Sequence, residues 1–160
     1  MTIEIICVGK LKEKYWRDAA AEYIKRLGRF CTLKITELPE VRLSGSSAAE
    51  ETAVVNAESE AILAKLSPGP QSFCIALAIK GKSLGSEALA DKIADLGLSG
   101  KSRVVFVIGG SLGLSEKLIA ACDMSLSFSA MTFPHQLMRV VLLEQIYRAF
   151  KINANESYHK

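Results

Sequence analysis

The sequence has little of what marks a metal-binding, exported or membrane protein. Its four cysteines, Cys7, Cys31, Cys74 and Cys122, are scattered and form no CxxC pair. Structural zinc sites are built from such pairs, so no metal is expected. Cys7 and Cys74 fall inside apolar runs, where a free thiol behaves as a small hydrophobe. The expected setting is reduced and cytoplasmic. No apolar stretch approaches the ~18 uncharged residues of a membrane span. The opening MTIEIICVGK carries Glu4 and reads as a strand rather than a cationic leader. Charge of one sign is also scarce: the net value is +3 over 160 residues, which alone does not argue for a nucleic acid partner. Proline is limited to Pro39, Pro68, Pro70 and Pro134, all placed where elements begin or end.

What remains is an alternation of apolar strands and helices. Strands are expected at 3–9, 32–38, 72–79, 103–110 and 124–129, the first and fourth the richest in β-branched residues and most of them closed by a turn signal. Helices are expected at 12–29, 48–66, 87–96 and 116–122, with a last one after Pro134. Near-continuous apolar strands separated by helices indicate an α/β protein, a mostly parallel sheet with helices on both faces. With no repeat and no linker, residues 1–160 are read as one domain. In such sheets ligands bind beyond the carboxyl ends of the strands. Three segments lie there: KGK after the third strand, GGSLG after the fourth, and SAMTFPH after the fifth.

Each of these has a structural and a functional reading. Gly109, Gly110 and Gly113 allow backbone to approach a ligand closely, or simply make a tight turn with positive φ. The loop is neither GxGxxG nor a P-loop. Ser129 and Thr132 could cap the last helix, which Pro134 can open as a first-turn residue. That helix keeps Arg139 on one side and an i, i+4 pair, Glu144 and Arg148, roughly opposite, within an otherwise apolar surface. Cover by the sheet and by a second subunit is expected, leaving the charges for an interface or a site. The first helix carries Lys12, Lys14, Arg17, Lys25, Arg26 and Arg29, either a solvated face or a shallow RNA-binding patch. The terminal ESYHK is either a frayed end or a group suited to stacking on an unpaired base and contacting phosphate.

The segments GKLKEKYW, VIGGSLGL, SFSAMTFPHQLMRVVLLEQIYRAFKI and the final YHK resemble the ribosomal RNA large subunit methyltransferase H family. That family belongs to the SPOUT superfamily of S-adenosylmethionine-dependent enzymes with a trefoil knot, and the similarity runs the length of the chain. The resemblance implies N3-methylation of a pseudouridine in the helix 69 loop of 23S rRNA on assembled ribosomes. It implies a homodimer and a knot over about residues 103–153, an exception to ordinary connection rules. It also implies that Leu77, Gly109, Phe128, Ser129, Ala130, Met131, Thr132 and Phe133 hold S-adenosylmethionine.

For the chemistry, His159 is the expected general base, with Tyr158 positioning the acceptor; Glu144 is a weaker candidate because Arg148 occupies it. Arg139 is expected to bind phosphate or orient the loop. His135, Arg148, Lys160 and Arg17 are the expected RNA contacts. One departure stands out: an acidic residue often follows the leucine of the third strand in the family, and Ala78 takes its place here. A dinucleotide-dependent oxidoreductase using IGGSLG and a non-catalytic ribosome-binding factor are the alternatives.

Overall fold

The computed structural model describes residues 1–43 and 45–159. Elements follow in the order β1 (Thr2–Val8), α1 (Lys14–Leu27), β2 (Thr32–Leu38), α2 (Ala48–Leu63), β3 (Ser72–Ser83), α3 (Ser86–Leu98), β4 (Arg103–Ile108), α4 (Glu116–Ala121), β5 (Met124–Ser127) and α5 (His135–Asn153). The five strands form one sheet in the order β2-β1-β4-β3-β5, parallel throughout. The α/β architecture expected from the alternation is therefore present.

Alternate residues of the central strands serve opposite faces. Ile3, Ile5, Cys7, Val104 and Phe106 join Leu27, Ile93, Leu142 and Ile146 beneath α1, α3 and α5. Ile6, Val8, Val105 and Val107 meet Ile62 and Leu118 beneath α2 and α4. Local chemistry marks the helix starts on that second face. Ser47 and Glu50 form a capping box on α2, and Ser115 accepts from the Leu118 amide at the start of α4. For α5 the sequence expectation fails: Pro134 sits at the N-cap itself, without a side-chain cap. Ser129 accepts instead from the Met131 amide, 2.9 Å away, and so shapes the preceding loop.

The larger difference concerns β3. Its expected end was Ile79, with KGK as a loop. The strand instead continues to Ser83 and pairs twice with β5, first through Ile75–Leu77 and again through Lys82 and Ser83. The residues between, 78–81, swing out of the ladder. Gly81 permits the return, since a Cβ there would lie 2.7 Å from the carbonyl carbons of Ser125 and Leu126. Polar composition concealed this extension, because its pairing is set by β5 and not by local propensity.

Arg139 fixes α5 to the far side of the sheet. It is 1% exposed, and its guanidinium donates to Glu37 Oε1 at 2.5 Å and to the Gly9 carbonyl at 2.8 Å. The expected phosphate contact is thus corrected: a guanidinium buried this deeply has no surface to offer RNA, and it ties the ends of β1 and β2 to α5. Removing a partner from a buried charge is costly. Glu37→Ala is expected to lower the free energy of unfolding by roughly 3 kcal/mol, read from urea titration. Lys34→Ala, at an exposed position on the same strand, should change it by less than about 0.5 kcal/mol. Equal midpoints for Glu37→Ala and the parent protein would contradict this role.

Candidate functional site

β4, β3 and β5 are neighbours in the sheet, and a cavity of about 540 Å³ opens between the excursion inside β3 and the segments that leave the carboxyl ends of β4 and β5. That volume is within the range of about 300–1,000 Å³ for small-ligand sites. One wall is Leu77, Ala78, Ile79 and Lys80, the excursion of β3. The floor is Ile108 and the glycine loop at 109–114, and the other wall is Phe128, Ser129, Met131, Thr132 and Phe133. His135 and Met138 close it from α5, and Glu116 and Ile119 from α4. The glycine loop folds back on itself: a Cβ on Gly109 would lie 2.4 Å from the Gly113 carbonyl oxygen, and Gly113 has φ +86°. Both readings of the loop hold together, since the tight turn is what brings bare backbone to the cavity.

Of the residues expected to hold a cofactor, Leu77, Gly109, Phe128, Ser129, Met131, Thr132 and Phe133 all line this cavity, and Ala130 does not. Lys80, Leu112, Leu114, Ile119 and Met138 line it as well and were not foreseen. The first belongs to a segment read as a loop, and apolar residues such as Leu114 carry no signal beyond core packing. The set suits S-adenosylmethionine. Apolar side chains and Phe128 can flank a purine, while glycine-loop backbone and Ser129 offer polar contacts, without a steric filler on the loop. Ala78 offers no carboxylate from β3, so any such contact must come from elsewhere.

His135, expected at RNA, faces the cavity instead. Its Nε2 is 3.2 Å from Glu40 Oε1 but is not aligned for a hydrogen bond and is buried. Glu40 also pairs with Lys12, 3.1 Å away.

The C-terminal tail lies elsewhere. The Tyr158 hydroxyl donates to Glu144 Oε1 at 3.1 Å, and its ring meets Tyr147 edge-on at 4.9 Å. Burial, with the hydrogen bond to Tyr23 second, pushes the phenol above its usual range. Arg148 pairs with Glu144 at 2.5 Å and lies 4.8 Å from the centre of the Tyr158 ring. Its Nη1 is 3.3 Å from His159 Nδ1, and Glu87 Oε1 is 3.7 Å from His159 Nε2. Arg148, expected at RNA, thus organises the tail. Glu144 is fully engaged, its second oxygen accepting from Gln145 at 2.7 Å. Neither Tyr158 nor His159 lines the cavity of its own chain. Met138 and Arg148 are ten residues apart on α5, about 15 Å at helical rise. Lys160, the remaining tail expectation, is outside the described residues.

On α1 the cations are partly neutralised, Lys14 by Asp18 at 2.6 Å and Arg26 by Glu22 at 2.7 Å. Arg17 is exposed and donates to the carbonyls of Leu11 and Lys12, which are neutral acceptors. Among the described residues no cluster of three or more His, Cys, Asp or Glu could hold a metal, and no helix is long and apolar enough to cross a membrane.

Burial holds the His135 imidazole below its ordinary range; Glu40 opposes that shift, and Arg139 and Lys12 add to it. A depressed value means the unfolded chain takes up the proton first, so stability falls as pH drops through the usual imidazole range. His135→Asn is expected to reduce the loss of stability between about pH 7 and about pH 5, measured as urea midpoints. The same slope in both proteins would contradict it.

Known proteins give a matching picture. The family model "Predicted SPOUT methyltransferase" matches residues 1–159. A protein of Bifidobacterium adolescentis is 55% identical over 161 residues, covering 100% of both chains. One of Clostridium novyi is 54% identical and one of Alkaliphilus oremlandii 53%, again over 100% of each. All three are named ribosomal RNA large subunit methyltransferase H. The chain belongs to that family of SPOUT methyltransferases.

Proposed function

We propose that the protein methylates N3 of a pseudouridine in the helix 69 loop of 23S rRNA, acting as a homodimer on assembled ribosomes in the cytoplasm. The supporting observation is the cavity between the excursion inside β3 and the ends of β4 and β5, lined by seven of the eight residues expected to hold the donor. The knot expected over about residues 103–153 belongs to the same reading. A dinucleotide oxidoreductase has no comparable support, since the loop that would carry it lacks the GxGxxG spacing.

S-adenosylmethionine, the methyl donor of the family, supplies an electrophilic methyl group on a sulfonium. The chain's own residues hold and orient. Leu77, Ile108 and Phe128 enclose apolar surface and exclude water, and the glycine loop fixes the polar end through backbone. Alignment of donor and acceptor is the main contribution and can be worth about 7–11 kcal/mol. The acceptor nitrogen must also lose its proton, because a protonated imide has no free lone pair there. His159 is the group assigned to that proton, and Tyr158 the group that stacks on or steadies the base.

The tail's distance from its own cavity gives the homodimer a purpose. For His159 to act at a donor held between β3, β4 and β5, it must serve the cavity of a second copy. The cavity mouth is suited to being covered, since Met131, Ile79 and Phe133 are exposed there at 74%, 53% and 39%. Arg17 and Lys25 on α1 then supply sequence-independent attraction to rRNA. Recognition of a folded ribosomal surface by shape is compatible with a net charge of only +3.

Purified protein incubated with labelled S-adenosylmethionine should transfer label to ribosomes and far less to free 23S rRNA, with nucleoside mass spectrometry locating it on pseudouridine N3. His159→Ala should lower that rate by roughly 10²–10⁴-fold with donor affinity unchanged. Label on another nucleoside would overturn the substrate assignment, and undiminished turnover would remove His159 from the reaction.

A further inference from the structure

The glycine loop has to hold its shape without belonging to a helix or to a named strand, and two neighbouring side chains outside the cavity bear on it. Glu58 and Ser59 follow one another on α2 and are 5% and 1% exposed. Neither lines the cavity. We propose that they are positioning residues, which anchor the two ends of the loop at 110–115 from behind and so keep it shaped to receive the donor. The proposal rests on the reading of the cavity given above, and it assigns the residues that preorganise it.

The geometry is specific at both ends. At the first, Glu58 lies against Gly110 so closely that a Cβ there would be 2.6 Å from Oε2. The carboxylate accepts from the Val41 amide, 3.0 Å from Oε1, so it bridges that segment and the backbone of Gly110. At the second, Ser59 Oγ accepts from the Ser115 amide at 2.9 Å, and Ser115 is the N-cap of α4. Between these anchors lie Ser111, Leu112, Gly113 and Leu114, all of which line the cavity.

A buried carboxylate is costly to keep unless its oxygens are satisfied. Here burial raises its pKa while the Val41 and Gly110 amides oppose the rise. An amide donor taken from water needs an acceptor just as much. One carboxylate thus joins two segments, accepting from Val41 and lying against Gly110, and Val41 follows Glu40, which is 3.2 Å from His135 on another wall of the cavity. Glutamine has the same reach, but it replaces one acceptor oxygen with an NH₂, so it cannot both accept from Val41 and present an acceptor to the Gly110 backbone. Aspartate is shorter by a methylene.

The test uses full-length Glu58→Gln and Ser59→Ala, with Leu96→Ala, a core position in α3, as a control for lost stability. In donor-free protein, Glu58→Gln should speed amide hydrogen exchange at Gly110 and Val41, and Ser59→Ala at Ser115. Glu58→Gln should weaken S-adenosylmethionine binding about ten-fold by calorimetry. The KM for the donor should rise while kcat on ribosomes largely recovers at saturation. Leu96→Ala should leave donor affinity alone. Unchanged exchange at Gly110 and Ser115, or donor affinity that merely tracks stability across all three variants, would overturn the proposal. If Glu58→Gln does not fold, the Ser115 end decides by the same readings. Faster exchange in a protein whose parent form does not bind S-adenosylmethionine would support the anchoring and overturn the cofactor reading instead.

Discussion

The structure depends on how β5 obtains its hydrogen bonds. This four-residue strand lies at the sheet edge and pairs only with β3. It can accommodate an excursion in its partner because β3 leaves the ladder after Leu77 and returns at Lys82. An unpaired backbone segment is tolerated only where it is exposed or otherwise satisfied, and residues 78–80 use the freedom to form one wall of the cavity. The return places backbone against backbone, which a side chain at position 81 would prevent. The same economy appears on the next strand, where the glycine loop turns so tightly that Gly109 meets Gly113. The site therefore joins apolar side chains to exposed main chain, and its shape is set by pairing and turn geometry more than by reactive side chains.

The final helix shows how charge is divided in such a protein. Arg139 faces inward and joins α5 to the ends of β1 and β2 through Glu37 and two carbonyls. Glu144 and Arg148 face the other way and arrange Tyr158 and His159. One end of the helix borders the cavity, and the other presents a tail that does not reach it. In the proposed dimer, a tail that does not reach its own cavity would serve its twin's.

Much of this was legible in the sequence. The expected strand at 32–38 coincides with β2, and the β-branched runs of β1 and β4 were clear because both are central strands, buried on two faces. The turns beyond β4 and β5 followed from the parallel-sheet rule, and the structure brings them to one cavity, whereas the third segment proved to be an excursion inside β3. What was hidden depends on distant partners. The polar residues of 80–83 look like a loop until β5 is beside them. Glu58 stands between Glu51 and Glu60 in a helix of mixed composition, and nothing local separates the buried acid from these exposed ones. Arg139 and Arg148 sit on one helix with similar neighbours, yet one is buried and the other lies at the tail. Pattern showed that the helix carried charges and could not show what each would meet.

That donor-holding cavity is tested most directly by calorimetric titration of S-adenosylmethionine into the parent protein and into Gly109→Ala. The account predicts one site per chain in the parent, and loss of binding in a variant that circular dichroism shows to be folded, because the added methyl collides with the Gly113 carbonyl. A folded Gly109→Ala protein that binds the donor as tightly as its parent would place the site elsewhere.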